Sequence, residues 1–396
     1  MKARTILGNL VNQASQHVIP NNLKQGVTKN WLASNKEKNT FKRSATSESL
    51  RTEKELKRHK NDKCLKTPDA DVEEIEFIDI GATNIQSPKA ALLVEEIHFI
   101  DIEDYDNETN AVLPVGVTDI DTIHGDEQHL WSEYAPEIYA YLRQLETTNQ
   151  IKEDYLRGCI ITGQMRSRLI DWMVSVHLQF KLLPETLFMS VNILDRFLEQ
   201  EGKNTSRDRL QLVGVVAMLI ASKIEEIYIP TIDEFVYSTD NAYNEEEVKD
   251  MELKIMRTLD FNLTSPISLT FLRRFSVAGN VDVVEHSMAK YILELSLMDY
   301  GLVGVHPSLS AAAALHVSLL LLSPSVPVWS PGLEYYSGYS RECLMPVVRR
   351  MISLLESAED NRLQSVRNKY SSRKFRRVAL LKEAKKEFLT KRMQFA

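Results

Sequence analysis

The sequence is poor in cysteine: its 396 residues contain only Cys64, Cys159 and Cys343. An odd number without close spacing argues against a disulfide framework and against a zinc site. A long uncharged apolar run is also missing, so we expect no membrane span, and the N-terminus lacks the apolar core of a signal peptide. These absences predict a protein of the cytosol or the nucleus.

Sequence patterns that carry chemistry are missing as well. There is no Gly-rich phosphate loop, no His-Glu-x-x-His, no Cys-x-x-Cys and no Gly-x-Ser-x-Gly. The nine histidines are scattered, and two of them, His177 and His316, lie within apolar helical stretches, where packing is the simpler role. We therefore expect a binding protein with no catalytic residue, no metal and no cofactor.

Charge is segregated along the chain. Residues 1–69 hold 15 Lys and Arg against 6 Asp and Glu, residues 70–129 hold 1 against 16, and residues 362–396 hold 12 against 2. Like-charge blocks of this kind typically form disordered arms beside a folded body. The remaining residues, 130–361, hold 20 against 31 and are therefore acidic.

From about residue 130 the spacing of apolar residues becomes helical. A leading helix is predicted by apolar residues at intervals of three and four, namely Trp131, Tyr134, Ile138, Leu142 and Leu145. Five more helices follow before Pro266, one of them with a capping box at Thr231 and Glu234, and a second series of five comes after it. The sequence thus predicts an all-α protein with two tandem five-helix bundles.

This pattern divides the chain into four parts. We predict a disordered regulatory arm over 1–125, a first helical fold over 126–263, a second over 264–361 and a basic tail over 362–396.

Five collinear motifs resemble a cyclin box: MRSRLIDW (165–172), ETLFMSVNILDRFL (185–198), LQLVGVVAMLIASKIEE (210–226), FVYSTDNAY (235–243) and MELKIMRTLDF (251–261). The stretches 131–146 and 270–300 resemble B-type mitotic cyclins in particular, and Phe271-Leu272-Arg273-Arg274 favours the B-type over the A-type. The resemblance covers about residues 118–375. It implies two cyclin folds that bind and activate a mitotic cyclin-dependent Ser/Thr kinase, direct its substrates and are degraded at mitotic exit.

A rival class is the nucleic-acid-binding protein built on the same fold, such as a general transcription factor. A duplex-binding body should carry a basic face, whereas residues 130–361 are acidic. We therefore do not expect nucleic acid as a partner of the body, although the basic tail at 362–396 could contact nucleic acid or import factors.

The resemblance also implies a kinase-binding site. Lys223 and Glu252 match the pair that holds the kinase's mobile regulatory helix, and opposite charges on neighbouring helices can make charge-assisted hydrogen bonds to it. The apolar socket between the pair and the contacts from the leading helix match Ile224, Met256, Phe261, Leu263, Tyr134 and Ile138. Ile224 stands where the family usually has an aromatic residue, yet it keeps the socket apolar. The alternative is a surface Lys and Glu with no role.

A second implied site is a shallow substrate-docking patch on the first fold. It corresponds to Met165, Leu169, Trp172, Leu210 and Gln211. Arg168 departs from the family, which has an aliphatic residue at this position within Met-Arg-x-x-Leu, and Ser175 replaces a larger polar or acidic residue. Docking motifs of this class are basic, so Arg168 predicts weak docking.

The stretch RTILGNLVN at 4–12 matches the mitotic cyclin destruction box, Arg-x-x-Leu-x-x-x-x-Asn, through Arg4, Leu7 and Asn12. Arg-x-x-Leu occurs six times in the chain, but only Arg4 has an Asn eight residues on and lies outside a predicted helix. The match implies the anaphase-promoting ubiquitin ligase as a partner.

The acidic part of the arm contains a duplication, VEEIEFIDI at 72–80 and VEEIHFIDI at 94–102. Both copies have the apolar spacing of nuclear-export signals, and B-type cyclins carry localisation signals in their arms. This interpretation predicts shuttling between cytoplasm and nucleus, with export and import receptors as partners. The alternative is an acidic linker with a recent duplication, and the sequence leaves both open.

Overall fold

A computed structural model describes residues 113–123, 134–323 and 328–384. Its α-helices are α1 Ile120–Ile123, α2 Ala135–Thr148, α3 Gly163–Phe180, α4 Pro184–Glu201, α5 Leu210–Glu225, α6 Ile232–Ser238, α7 Glu245–Thr258, α8 Ser268–Ala278, α9 Val283–Leu297, α10 Pro307–Leu322, α11 Pro331–Ser337, α12 Arg341–Ser357 and α13 Ser365–Tyr370. Short 3-10 helices lie at Gly202–Asn204, Arg207–Arg209, Tyr300–Leu302, Arg373–Phe375, Val378–Leu380 and Lys382–Ala384.

The prediction of an all-α protein is confirmed, because these three ranges contain helices and turns and no strand. Helix α2 is the leading helix, α3–α7 form the first bundle and α8–α12 the second. None of the helices in the described part of the chain is long and apolar enough to span a membrane.

Each bundle is built around one helix that is apolar on all sides. In α5 every residue from Leu212 to Ser222 is buried, and in α10 every residue from Ser308 to Leu321. A helix without a polar face can only lie at the centre of a bundle. Gly214 lets α3 approach α5 closely, because a Cβ at this position would lie 2.8 Å from Cδ1 of Leu169.

Local capping fixes where several helices begin. Thr231 and Glu234 form the predicted capping box, and the structure adds two more, Asn244 with Glu247 and Asp282 with Glu285. Each box satisfies backbone N–H groups that have no partner inside the helix. The first turn of α7 also carries Glu245, Glu246 and Glu247, which the positive end of the helix dipole favours.

The leading helix is fixed to the second bundle, although it precedes the first in sequence. The Tyr139 hydroxyl donates a hydrogen bond to the carbonyl of Thr270 at 3.1 Å. Arg143 donates to Ser308 Oγ at 3.1 Å and to the Tyr339 hydroxyl at 2.9 Å. These contacts orient α2 so that its other face stays exposed.

A buried ion pair ties the two bundles together. The guanidinium of Arg166 contacts both carboxylate oxygens of Asp195 at 2.6 Å and donates to the carbonyl of Leu297 in the second bundle at 2.9 Å. Tyr155 also donates to Asp195, at 2.7 Å. Burial and then the Asp195 charge raise the pKa of Tyr155, so its hydroxyl remains a donor.

The prediction of a basic tail that starts at residue 362 needs correction, because the chain as far as Ala384 packs on the folded body, against α3 of the first bundle and α9 of the second. Val366, Tyr370 and Val378 are fully buried. Lys369 is also buried, where both Glu294 carboxylate oxygens accept its hydrogen bonds at 2.8 Å. Most of the other basic side chains in this segment are exposed. The segment therefore has a basic exposed face and an apolar buried face, and a count of charges detects only the first.

His177 supplies a prediction of pH dependence. Its Nε2 lies 3.0 Å from the Leu183 carbonyl, and its buried Nδ1 has no hydrogen-bond partner. Burial first, and then the Lys369 ammonium, lower the pKa of His177 to about 3. Since the unfolded chain takes up this proton at a pKa near 6.5, the neutral ring stabilises the fold above that pH, and the contribution is lost as pH falls towards 3.

We expect His177→Gln, which keeps a donor but does not titrate, to lose about 2 kcal/mol less unfolding free energy than the parent between about pH 7 and pH 5. Urea unfolding at a series of pH values measures this difference. His286 and His316, whose pKa values burial lowers to about 4, are present in both proteins and serve as an internal reference. Parallel pH profiles would show that His177 does not carry the effect.

Candidate functional site

The predicted kinase-binding pair lies at the surface of the first bundle. Lys223 is in the last turn of α5, Glu252 is in the middle of α7, and the Lys223 Nζ atom lies 2.5 Å from Glu252 Oε1. The Lys223 side chain is 42% exposed and that of Glu252 20%. An ammonium has three donors and a carboxylate several acceptor positions. Each partner can therefore bind a further group while the pair stays intact.

Apolar side chains extend the surface around this pair. Ile224 is 47% exposed and Phe261 61%, whereas Met256 and Leu263 are half-buried and pack against the core. Phe261 follows α7 with a φ of +56°, in the left-handed region, and its N–H donates to the Met256 carbonyl at 2.9 Å. This conformation is uncommon for a bulky residue, and here it leaves the ring in solvent.

The loop after α5 adds residues that the sequence analysis missed. Ile227 is 88% exposed and Tyr228 90%, and Ile227 lies three residues after Ile224. Glu226 fixes the start of the loop, because its carboxylate accepts hydrogen bonds from the N–H of Leu183 and the hydroxyl of Thr186. The sequence feature that could have identified these residues is the apolar run Ile-Tyr-Ile-Pro just after the end of a helix, because such a run lies outside the buried face of that helix.

The leading helix presents a stripe of its own. Tyr134, Ile138 and Tyr141 are about half exposed and follow one another at intervals of four and three, on one face of α2. The sequence analysis predicted the first two and missed Tyr141. Contiguous exposed apolar surface of this kind marks interaction sites on soluble proteins.

The predicted docking patch is only partly at the surface. Met165, Trp172 and Gln211 are half-buried, and Arg168 is exposed. Leu169 and Leu210 are buried, 7% and 5% exposed, so they can form the floor of such a patch but not its rim.

The structure gives a reason for the small residue at position 175. The C-terminal segment crosses α3 here: Ser175 Oγ lies 2.9 Å from Ser365 Oγ, and Asp171 accepts hydrogen bonds from the N–H and the hydroxyl of Ser365 at 2.9 and 2.8 Å. A larger side chain at 175 would occupy the place of this segment.

Other predicted sites lie outside the described residues. These are the degradation motif with Arg4, Leu7 and Asn12 and the repeats at 72–80 and 94–102. Within the ranges that are described, no group of three or more His, Cys, Asp or Glu side chains is placed to hold a metal ion.

Comparison with known proteins gives two tandem family matches. The cyclin N-terminal domain model matches residues 137–264 and the cyclin C-terminal domain model matches 266–384. The second match ends beyond residue 361, in agreement with the packed C-terminal segment.

Curated relatives match most of the chain. A G2/mitotic-specific cyclin-B of Patella vulgata is 43% identical over 298 residues, covering 75% of this chain and 72% of the relative. A protein of the same name from Marthasterias glacialis is 48% identical over 266 residues, covering 67% and 68%. G2/mitotic-specific cyclin-B2 of Gallus gallus is 44% identical over 283 residues, covering 71% and 70%. The chain therefore belongs to the cyclin family, in its G2/mitotic-specific B-type group.

Proposed function

We propose that this chain is the regulatory subunit of a mitotic cyclin-dependent kinase and has no catalytic activity of its own. The observation that carries the proposal is the exposed Lys223–Glu252 pair beside Ile224 and Phe261. Exposed large apolar side chains around a charged pair are typical of a protein interface, where the apolar residues supply affinity and the charges fix orientation.

Activation would proceed by a shift in population. A kinase alone favours an inactive placement of its regulatory helix, and a partner that binds only the active placement draws the equilibrium towards it. A shift from roughly 1:99 to 99:1 needs about 5.5 kcal/mol of differential binding. An interface of standard size, about 1,600 Å² in total, can provide this.

The test is to purify the tagged full chain from dividing cells and to assay the associated protein kinase activity. Kinase activity that rises towards mitosis and requires the chain supports the proposal. A chain that purifies without kinase activity at every stage of the cycle contradicts it.

We also propose that residues 4–12 direct destruction of the chain by the anaphase-promoting ubiquitin ligase. Recognition needs only an ion pair for Arg4 and an apolar pocket for Leu7, and weak sites of this kind suffice when several act together. Deletion of 4–12 should keep the protein abundant through mitotic exit without changing its kinase association. Immunoblots of synchronised cells measure this.

The matched control deletes residues 13–21, the same length of arm without the motif. It should disappear on the parent's schedule. Equal persistence of both deletions, or of neither, would place the signal elsewhere.

A third proposal concerns substrate docking at Arg168, which is exposed between Met165 and Trp172 on α3. A docking patch gains affinity by burying an aliphatic residue of the substrate, and a hydrated cation at its edge reduces the apolar surface and repels basic peptides. We expect Arg168→Ile to bind a basic-leucine docking peptide about tenfold more tightly, or 1.4 kcal/mol. Arg168→Lys, which keeps the charge, should bind like the parent. If titration gives equal affinities for all three, Arg168 does not control the site.

A further inference from the structure

The short helix α1 is fixed to the second bundle ahead of the leading helix. Asp119 caps it, because its Oδ1 accepts hydrogen bonds from the N–H groups of Asp121 and Thr122 at 2.9 and 3.2 Å. Ile120 is buried, and its N–H donates to the Tyr336 hydroxyl of α11 at 3.1 Å. Helix α1 therefore has a defined place on the body, and this place sets the position of the Asp121 carboxylate.

Asp121 holds one arginine of α8 in place. Its two carboxylate oxygens accept parallel hydrogen bonds from the Arg274 guanidinium at 2.6 and 2.7 Å. The Arg274 side chain is only 10% exposed, and a charge buried to this extent is stable only when it is paired. Burial lowers the pKa of Arg274, but the hydrogen bonds and the charge of Asp121 outweigh this and leave the pKa raised. Asp121 therefore keeps the guanidinium in its buried position.

The arginine in turn supports the leading helix. The Arg274 Cζ atom lies 4.8 Å from the centroid of the Tyr139 ring in α2, and a cation is attracted to the face of such a ring. The same ring packs against the buried Phe271 of α8, with the centroids 6.0 Å apart, and its hydroxyl donates to the Thr270 carbonyl. Tyr139 is the neighbour of Ile138, so the contacts that fix Tyr139 also set the direction of Ile138.

The first turns of α2 depend on such tertiary contacts. The N-cap residue of the helix, Tyr134, makes no capping hydrogen bond with its side chain, and helix starts without a side-chain cap are less stable. The hydrogen bonds of Arg143 to Ser308 and Tyr339 hold a later turn. The N-terminal part of the exposed stripe therefore lies where Tyr139 anchors the helix.

We propose that Asp121 is a positioning residue, which acts through Arg274 and Tyr139 to hold the exposed stripe of α2 ready for the kinase. The inference rests on the proposed function, because this stripe is part of the proposed kinase-binding surface. Without the Asp121 carboxylate, the kinase has to bind the fraction of chains in which the stripe is ordered. The apparent affinity falls in proportion to that fraction.

The first experiment uses the free full chain and needs no kinase. Mass spectrometry follows hydrogen exchange at the amides of residues 139–142, whose hydrogen bonds close the first turns of α2. We expect these amides to exchange at least about tenfold faster in Asp121→Asn than in the parent, because exchange follows the population of the open state. Equal rates in the two proteins would overturn the proposal.

Asp299 supplies the matched control for this experiment. Its carboxylate also accepts two hydrogen bonds from one arginine, Arg350 of α12, at 2.6 and 2.8 Å. Asp299→Asn therefore removes the same kind of ion pair from another part of the second bundle. It should leave exchange at residues 139–142 at the parent's rate, and faster exchange in this variant as well would contradict a specific role of Asp121.

The second experiment measures the affinity for a purified mitotic cyclin-dependent kinase by isothermal titration calorimetry. Asp121→Asn should bind about tenfold more weakly than the parent, and Asp299→Asn as tightly as the parent. In a chain that already carries Ile138→Ala and Tyr141→Ala, Asp121→Asn should weaken binding by less than about twofold, because the stripe that it positions is already removed. In Ile224→Ala, which alters the apolar socket instead, the full effect should remain.

The outcomes separate this inference from the proposed function. Equal affinities of Asp121→Asn and the parent would contradict the positioning role. An effect of Asp121→Asn that persists without the stripe would contradict it too, since Asp121 would then contact the kinase directly. A parent chain that binds no kinase would contradict the proposed function, and the exchange experiment still decides whether Asp121 orders α2.

Discussion

Replacing Lys223 and Glu252 together with Ala should abolish co-purification of the kinase and leave the helical fold intact. Removing one partner of a desolvated, hydrogen-bonded charge contact costs about 2–5 kcal/mol at an interface, so the loss of two should reduce affinity by more than about a thousandfold. The exposed pair itself contributes about 0–1 kcal/mol to folding. The measurements are kinase activity in the purified complex and a thermal melt of the chain.

Helix α7 supplies a matched control. Lys249 and Glu245 form another exposed ion pair, 2.6 Å apart, in the first turns of the same helix. Their double Ala variant also removes one ammonium and one carboxylate from an exposed ion pair, and it should retain the parent's kinase activity.

A charge swap separates the two roles that the Lys223–Glu252 pair could have. Lys223→Glu with Glu252→Lys keeps an ion pair within the chain but reverses the charges offered to a partner. A purely structural pair would tolerate this exchange, whereas a kinase contact would not. Parent-level kinase activity in either double variant of this pair would contradict the assignment.

Replacing Lys369 with Ala should destabilise the protein by about 3–5 kcal/mol, because the Glu294 charge is then left buried without a cation. Both side chains are at most 1% exposed, and in the described residues the other side chain that donates to Glu294 is Tyr370, whose hydroxyl lies 2.7 Å from Oε1. For a folded body of this size the loss corresponds to a fall of roughly 6–20 °C in melting temperature. Circular dichroism during heating measures it.

Arg367 provides the comparison for Lys369. It lies two residues earlier in α13 and pairs at 2.9 Å with Glu359, whose side chain is 59% exposed. Arg367→Ala should cost less than about 1 kcal/mol, as exposed pairs do. If Lys369→Ala costs no more than Arg367→Ala, the C-terminal segment does not form part of the folded body.

Much of the fold was predictable because helix formation is local. The capping box at Thr231 depends on residues three apart, and the central position of α5 follows from its apolar composition. The prediction for residues 362–396 was wrong because it also rested on local information, a count of 12 basic against 2 acidic residues. The partner that neutralises Lys369 is Glu294, 75 positions away.

The residues of the candidate site likewise fall into those that the sequence predicted and those that it did not. Lys223, Glu252 and their socket were identified by resemblance of motifs, but the loop residues Ile227 and Tyr228 were not. The neighbouring residues in the sequence do not determine whether a short apolar run after a helix is buried or stays in solvent. That outcome depends on Glu226, which fixes the loop through Leu183 and Thr186 at the start of the preceding helix, α4.

By itself, the sequence determined the helical class, the tandem bundles, most helix starts and the family, since all of these rest on periodicity, caps and collinear motifs. Tertiary structure alone decided which charges meet: Lys223 with Glu252, Arg166 with Asp195, and Arg274 with Asp121 across 153 positions. The physical reason is the separation along the sequence of the residues that interact. A hydrogen bond in a helix joins residues four apart, whereas a charge pairs with whatever the packing of apolar faces brings within about 4 Å.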